Sequence, residues 1–284
     1  MSKWFDENLH YGFRISLEAN ELIHSENTGL QDLLIFRNPF FGKVLMLDGI
    51  IQLTEADEFI YHESLSHIAL FAHGNIKKAL VIGGGDGGTA REILKHKCIE
   101  HLTVVEIDAK VVEFSQKYLP TICKNVFDEP RLTLVIDDGV KFLKSQETFN
   151  YDLIIIDSTD PLGPAEPLFS EDFYKSCKKS LNEGGILVTQ NGVPFLQKSE
   201  LQSSISILKS LFSDSTCFLA TVPTYAGGPM AFGWGTDNNK LRKNSIHLIE
   251  KRFKEAALML RYYNPSLHSS AFVLPTYIET IIKD

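Results

Sequence analysis

The six residues Gly83-Gly84-Gly85-Asp86-Gly87-Gly88 put a carboxylate in the middle of a glycine loop. Such a loop, set between an apolar strand and a helix, ordinarily offers bare backbone N–H groups and a helix N-terminus to a phosphate. An acid at its centre repels that guest and selects a ligand with a cationic end. Twenty residues past Asp86, Glu106 closes the apolar run Leu102-Thr103-Val104-Val105-Glu106. From that position nucleotide-binding sheets present an acid to a ribose diol. Asp138, in Asp137-Asp138-Gly139, stands where a carboxylate can accept a hydrogen bond from an exocyclic amine such as that of adenine. A nucleoside carrying a positively charged tail satisfies all three acids.

A fourth apolar run leads into Asp157-Ser158-Thr159-Asp160-Pro161-Leu162-Gly163-Pro164-Ala165-Glu166. Two prolines and a glycine fix an extended loop, from which Asp157 and Asp160 can face one pocket. Paired acids serve glycoside hydrolysis, metal binding or amine recognition. Hydrolysis is out of place beside a nucleoside, and a Mg2+ site suits a phosphate that Asp86 disfavours, which leaves amine recognition. Each acid taken alone reads more readily as a helix cap or a turn former. Asp108 is read as the N-cap of the helix after Glu106, and Asp137 as a cap; four acids in register at successive strand ends carry the signal. His62-Glu63-Ser64-Leu65-Ser66-His67 superficially looks like a zinc motif. Its histidines are five apart, roughly 140° around a helix, where a metalloprotease motif needs four. No metal is expected. Taken alone, His62 reads as a hydrogen-bonded core histidine, and Tyr61 and Tyr225 as packing residues.

The elements that position these residues follow from periodicity. Up to about residue 57, short runs of Phe, Ile, Leu and Val are broken by Asn27-Thr28-Gly29, Asn38-Pro39 and Asp48-Gly49, the pattern of a small antiparallel β unit. From Glu58 to about His73, Tyr61, Leu65, Ile68, Ala69 and Ala72 recur at spacings of three and four, predicting a helix. Five near-continuous apolar runs then alternate with helix-length segments: 78–82, 102–106, 132–136, 153–156 and 186–189. That alternation predicts a parallel sheet covered on both faces. Two more runs, 217–222 and 230–234, lie too close together for a crossover helix and should form an antiparallel hairpin at the sheet edge. The expected fold is α/β: a small N-terminal β domain (1–57) and a Rossmann-like domain (58–284). The latter's seven-stranded sheet is of the kind found in S-adenosylmethionine-dependent enzymes, with ligands at the carboxyl ends of the strands.

The 44% hydrophobic content of this 284-residue chain is ample for a large core. A formal charge of −8 and a pI near 5.6 argue against nucleic acid or an anionic membrane as partner and agree with a cationic substrate. Cys98, Cys123, Cys177 and Cys217 show no CxxC or metal spacing, as in a cytosolic protein with reduced thiols. The N-terminus carries no apolar run and nowhere do about 18 apolar residues occur in succession, so a soluble, cytoplasmic protein is expected.

The glycine loop, Val105-Glu106-Ile107-Asp108, Asp137-Asp138-Gly139, the D-S-T-D-P-x-G-P-A segment and Pro223-Thr224-Tyr225 together resemble the polyamine aminopropyltransferases, most closely the bacterial spermidine synthases. The likeness runs from Trp4 to Leu274-Pro275, and the D-S-T-D-P segment is its most specific part. In that family decarboxylated S-adenosylmethionine gives its aminopropyl group to putrescine, forming spermidine and methylthioadenosine. The resemblance implies that Asp86 holds the donor's ammonium, Glu106 its ribose, and Asp138 with Gly139 its adenine, with Gln31 and Pro164 also against the donor. It implies Asp157 as general base, Asp157, Ser158, Thr159 and Asp160 as the amine-binding stretch, Tyr61 and His62 as an acceptor-site pair, and Tyr225 as orienting the attacking amine. Gln190 and Trp4 are implied near the acceptor's distal amine, and a homodimer or homotetramer as the assembly. A sulfonium is already an activated leaving group, so no metal or redox cofactor is expected.

Two rival readings use the same sheet. A methyltransferase would bind intact S-adenosylmethionine, whose carboxylate would sit close to Asp86. An NAD(P)-binding domain would bring a pyrophosphate to that acid, and the glycine spacing matches the dinucleotide fingerprint only loosely.

Overall fold

The computed structural model describes residues 3–145 and 150–283. Six antiparallel strands come first: β1 (Lys3–His10), β2 (Phe13–Ala19), β3 (Glu21–Asn27), β4 (Asp32–Asn38), β5 (Gly42–Leu47) and β6 (Ile50–Thr54). They form two sheets, the ribbon β1-β2 and the meander β3-β4-β5-β6. Helix α1 (Glu58–His73) occupies the predicted span and stops at Gly74, whose left-handed backbone (φ 79°) returns its N–H to the Leu70 carbonyl.

There follow β7 (Lys78–Gly83), α2 (Gly88–Leu94), β8 (His101–Glu106), α3 (Ala109–Tyr118), the short α4 (Pro120–Cys123), β9 (Leu132–Ile136), α5 (Gly139–Lys144), β10 (Tyr151–Asp157), α6 (Glu171–Ser180), β11 (Leu181–Gln190), α7 (Lys198–Leu211), β12 (Asp214–Ala220), β13 (Met230–Thr236), α8 (Ile246–Ala256), α9 (Pro265–Ser270) and α10 (Thr276–Lys283). The seven-stranded sheet has the order β12-β13-β11-β10-β7-β8-β9. Its five parallel strands, β7 to β11 with β9 at one edge, match the apolar runs, and β12 with β13 make the expected hairpin at the other edge, β13 entering between β12 and β11.

Near-continuous apolar strands are needed because both faces are covered. Ala79 and Val81 of β7 pack with α1, α2 and Ile249 of α8; Leu80 and Ile82 pack with α5, α6, α7 and α10. Helix α3 packs Val111 and Phe114 against Leu33, Leu45 and Leu53, so the meander rests on the parallel-sheet unit through a shared apolar cluster. All four cysteines are free. Among the described residues no helix is long and apolar enough to cross a membrane.

The turn after β7 depends on glycine. Gly83 lies at φ 84°, and a Cβ there would approach the Asp157 carbonyl oxygen to 2.1 Å. The loop is held to β10 by a hydrogen bond from Gly84 N–H to that same carbonyl (2.9 Å). Gly83→Ala combines a strained backbone with a collision against main chain, so it should cost about 2 kcal/mol or more. Urea unfolding measures this as a lower midpoint at unchanged slope; a midpoint equal to the parent's would contradict the geometry.

Candidate active site

The carboxyl ends of β7, β8, β9 and β10 open on a cavity of about 330 Å3, roofed by Glu7, Leu9, Gln31, Leu45, Ile50 and Gln52 of the N-terminal strands. Seven carboxylates line it, those of Glu7, Asp48, Asp86, Glu106, Asp138, Asp157 and Asp160, together with His10 and His62. Among the described residues no lysine or arginine lines it. A pocket so charged favours cations.

Asp157 ends β10, and both of its oxygens accept hydrogen bonds: Oδ1 from the Tyr61 hydroxyl (2.7 Å) and Oδ2 from the Thr89 hydroxyl (2.6 Å). Burial raises its proton affinity, and the nearby negative charge of Asp86 raises it further. Tyr61 is itself buried beside Asp157, so its phenol holds its proton well above the ordinary range and remains a donor. Asp86 Oδ1 accepts from Gly88 N–H (2.7 Å) and meets His62 Nε2 at 3.2 Å. The other His62 nitrogen, Nδ1, lies 2.5 Å from Glu58 Oε2. Burial opposes the charged imidazole, but Asp86 and Glu58 outweigh it and lift the pKa to about 10.

His62, Asp86 and Asp157 are close enough to suggest a metal triad. Both His62 nitrogens face carboxylates, however, and the lone pair a metal would need carries a proton. His67 turns away to Glu92 and His96, as five-residue spacing requires.

Glu106 ends β8 with Oε2 accepting from Gly85 N–H (3.1 Å) and Oε1 from Asp108 N–H (2.9 Å). Asp108 caps α3 through Lys110 N–H and also accepts from the Gln31 amide (2.9 Å) and the Thr28 hydroxyl (2.6 Å), which ties the β3–β4 turn to the site. The N-cap of α5 is Asp138, accepting from Val140 N–H at 2.7 Å. The reading of Asp137 as cap is therefore corrected: Asp137 only takes the Asp138 N–H, because the helix begins one residue later than that reading assumed. Asp160 Oδ1 accepts from the Gln197 amide (2.6 Å), and Gln190 accepts from Gly192 N–H (2.9 Å). The Ser158 hydroxyl is buried without a partner. Tyr225 packs edge-on to Tyr61 with ring centres 6.0 Å apart, and its hydroxyl donates to the Gln52 carbonyl.

Gln31, Tyr61, His62, Asp86, Glu106, Asp138, Gly139, Asp157, Ser158, Thr159, Asp160, Pro164, Gln190 and Tyr225 are thus all brought to one cavity. Trp4 is not. It lies on the outward face of β1 with Asp6 and Asn8, 57% exposed, while the alternate residues Phe5, Glu7 and Leu9 turn inward. Besides Asp48, read only as a turn residue, Glu7 is the acid that sequence reasoning missed. It is buried, accepts from Ile51 N–H (2.7 Å), and its proton affinity is raised by burial and then by Asp160. Period-two alternation from Phe5 is the signal that points to it. Thr89 and Glu58 were also missed; the latter's spacing of four from His62 on a helix was the available clue.

A seven-stranded sheet with a glycine loop, strand-end acids and an acid-lined cavity at the carboxyl ends of its strands defines a doubly wound α/β protein with its ligand site at that edge. Residues 58–245 match the spermine/spermidine synthase domain, and residues 3–55 the spermidine synthase tetramerisation domain. A polyamine aminopropyltransferase of Ruegeria sp. is 50% identical over 98% of both chains, and one of Pseudomonas syringae is 49% identical over 96% of both. A spermidine synthase crystallised with the transition state analogue AdoDATO superposes with TM-score 0.94 at 33% identity, covering 99% of this chain and 95% of that one. Spermidine synthase from Thermotoga maritima gives 0.90 at 32% identity, with 99% and 94% covered. The chain belongs to the spermidine synthase family, the polyamine aminopropyltransferases, and is a transferase.

Burial raises the Glu106 pKa to about 7 against the hydrogen bonds that lower it. The folded protein therefore holds this proton more tightly than the unfolded chain does, a stabilisation present at low pH and lost as pH rises through about 7. A diol offering two O–H donors prefers the carboxylate. Binding of 5′-methylthioadenosine should tighten about tenfold between pH 6 and pH 8 by titration calorimetry, following the ionised fraction, and Glu106→Gln should flatten the dependence. Equal affinity of the parent at both values would count against a diol at Glu106.

Proposed function

We propose that the protein transfers the aminopropyl group of decarboxylated S-adenosylmethionine to putrescine, forming spermidine and 5′-methylthioadenosine. The observation that carries this reading is the cavity lining: seven carboxylates and no lysine or arginine among the described residues, with Asp86 inside the glycine loop. An intact S-adenosylmethionine carboxylate would be repelled there, whereas an aminopropyl ammonium is attracted.

In this reading Asp86 takes the donor's ammonium, Glu106 the ribose hydroxyls, and Asp138 and Gly139 the adenine edge, with Gln31 and Pro164 alongside. The acceptor lies across Tyr61, His62, Ser158, Thr159 and Asp160, and Glu7 joins Gln190 and Asp160 toward its distal ammonium. Its amine has a pKa near that of lysine, about 10, and arrives protonated. Asp157, with proton affinity raised by burial, accepts that proton. The freed lone pair attacks the propyl carbon next to sulfur; the C–S electrons pass to sulfur, and the sulfonium leaves as a neutral thioether. Tyr61 and Thr89 fix the Asp157 carboxylate, and Tyr225 bounds the path of the amine. Positioning two reactants in line this way supplies roughly 7 to 11 kcal/mol. No cofactor is needed beyond the co-substrate. The N-terminal match to a tetramerisation domain and the exposed Trp4, Tyr11 and Phe13 support a homodimer or homotetramer, and four free cysteines fit a reducing cytoplasm.

The test is to supply purified protein with putrescine and either donor, identifying the nucleoside by mass spectrometry. Methylthioadenosine from the decarboxylated donor alone is expected; S-adenosylhomocysteine from the intact donor would make the protein a methyltransferase. Asp157→Asn should lower kcat roughly 10²- to 10⁴-fold while methylthioadenosine still binds. Turnover at the parental rate would send the proton by another route. Asp86→Ile should raise KM for the decarboxylated donor far more than it lowers the melting temperature, and an unchanged KM would remove Asp86 from donor binding.

A further inference from the structure

Behind the cavity a line of buried charges runs from the glycine loop through the first turns of α1 to the far side of α2. His62 Nε2 meets Asp86, and its Nδ1 meets Glu58 Oε2. Arg91 grips Glu58 with two nitrogens (2.8 Å to Oε2, 3.2 Å to Oε1), gives Nε–H to Glu92 Oε1 (2.8 Å), and donates to the Ile122 carbonyl (2.7 Å). Glu92 Oε2 in turn contacts Lys95 (2.5 Å) and His67 (2.9 Å). Signs alternate: Asp86 negative, His62 positive, Glu58 negative, Arg91 positive, Glu92 negative, Lys95 positive. Glu58, His62, Arg91 and Glu92 are all 9% exposed or less, and neither Glu58 nor Arg91 lines the cavity.

Two ionised carboxylates buried within each other's field disfavour each other, and the commoner outcome is that one takes a proton. A protonated Asp157 cannot act as a base. Among the described residues, the cationic side chain that meets Asp86 and reaches Asp157 by its field is His62, which burial alone would strip of its charge. It keeps both protons because each nitrogen has a carboxylate partner. Glu58, equally buried, keeps its charge because of the two-nitrogen grip of Arg91.

We propose that Arg91 is a positioning residue for aminopropyl transfer: by fixing Glu58 it holds His62 as a doubly donating imidazolium, a built-in counter-ion that keeps Asp157 ionised and ready to accept the amine proton. This rests on the reaction proposed above. The charged and titratable groups facing His62 and Asp157 are Glu58 and Tyr61 from α1, Asp86 from the glycine loop, Arg91 from α2, and Tyr225 from the turn before β13. The direction of each shift agrees: burial opposes ionised Glu58 but His62 and Arg91 lower its pKa, and His62 opposes the rise at Asp157.

The experiment is the pH profile of kcat/KM for the parent, Arg91→Met, Glu58→Gln and Arg91→Lys. The acid limb should move alkaline by about one unit in Arg91→Met and Glu58→Gln, so that activity well below it falls about tenfold and returns toward the parental value at high pH. Arg91→Lys, which keeps the charge, should lie between. A structural role alone would lower activity equally at every pH, and that outcome overturns the proposal. Should neither substitution fold, nitrogen NMR of His62 in the parent decides: an imidazolium at pH 8 upholds the proposal and a neutral ring sinks it. A parent that makes no methylthioadenosine would instead refute the proposed reaction, while the His62 spectrum would still decide whether the charge chain holds an imidazolium.

Discussion

Asp86 and Asp157 lie largely buried within each other's field at one cavity, and the rest of the structure is arranged so that both can remain there. Moving ions out of water is unfavourable unless partners replace the solvent. For Asp157 the partners are two hydroxyls, from Tyr61 and Thr89, and for Asp86 they are Gly88 N–H and His62. Supplying Tyr61 and His62 from adjacent positions requires a helix at this depth, which is why α1 is buried on nearly every side. An amphipathic surface helix could not carry Glu58, His62 and Glu63 in its interior. Glu63 is satisfied separately, accepting three backbone N–H groups from Arg261, Tyr262 and Tyr263.

The glycine loop answers the same constraint from the other side. Beyond its collision at Gly83, a Cβ on Gly88 would lie 2.2 Å from the His62 ring, so the contact between α1 and α2 that brings His62 to Asp86 exists only with glycine at that position. The N-terminal strands then close the roof. The Tyr225 hydroxyl donates to Gln52, Thr224 donates to Asp57, and Gln31 and Thr28 both donate to Asp108. These bonds join residues far apart in sequence, so the roof and the strand-end acids hold one another in register.

What the sequence makes legible is what lies in linear order. The five parallel strands, α1 and the edge hairpin show as runs and periods, and the acids at strand ends follow from where those runs stop. Asp108 as a cap was equally readable, because capping is decided within three residues. Glu7 was overlooked and Trp4 was expected at a cavity it does not line, because a strand's inward face is set by what it packs on, and β1 packs on β6, some forty residues away. The charge line through Glu58, Arg91 and Glu92 was invisible for a related reason. On a helix surface, charged residues at such spacings normally meet water, and only the docking of α2 against α1 turns them into a buried chain.

Such a site is not brought to electrical balance by its own side chains. Seven carboxylates against two histidines leave an excess of negative charge among the lining side chains; the proton affinity of Glu7, raised first by burial, is raised further by one of them, Asp160. Ammonium and sulfonium groups are the complement of that excess, and they bring their charge without asking the protein to move. In the proposed transfer the sulfonium's positive charge passes to the attacking nitrogen, so it moves only a short distance inside the same acid-lined cavity. The same fixed dipoles and charges that bind the reactants therefore need little reorganisation during the transfer. That readiness is set at the folding step, where the acids are buried at a cost in stability and glycine, helix depth and counter-ion are all placed to make the burial tolerable.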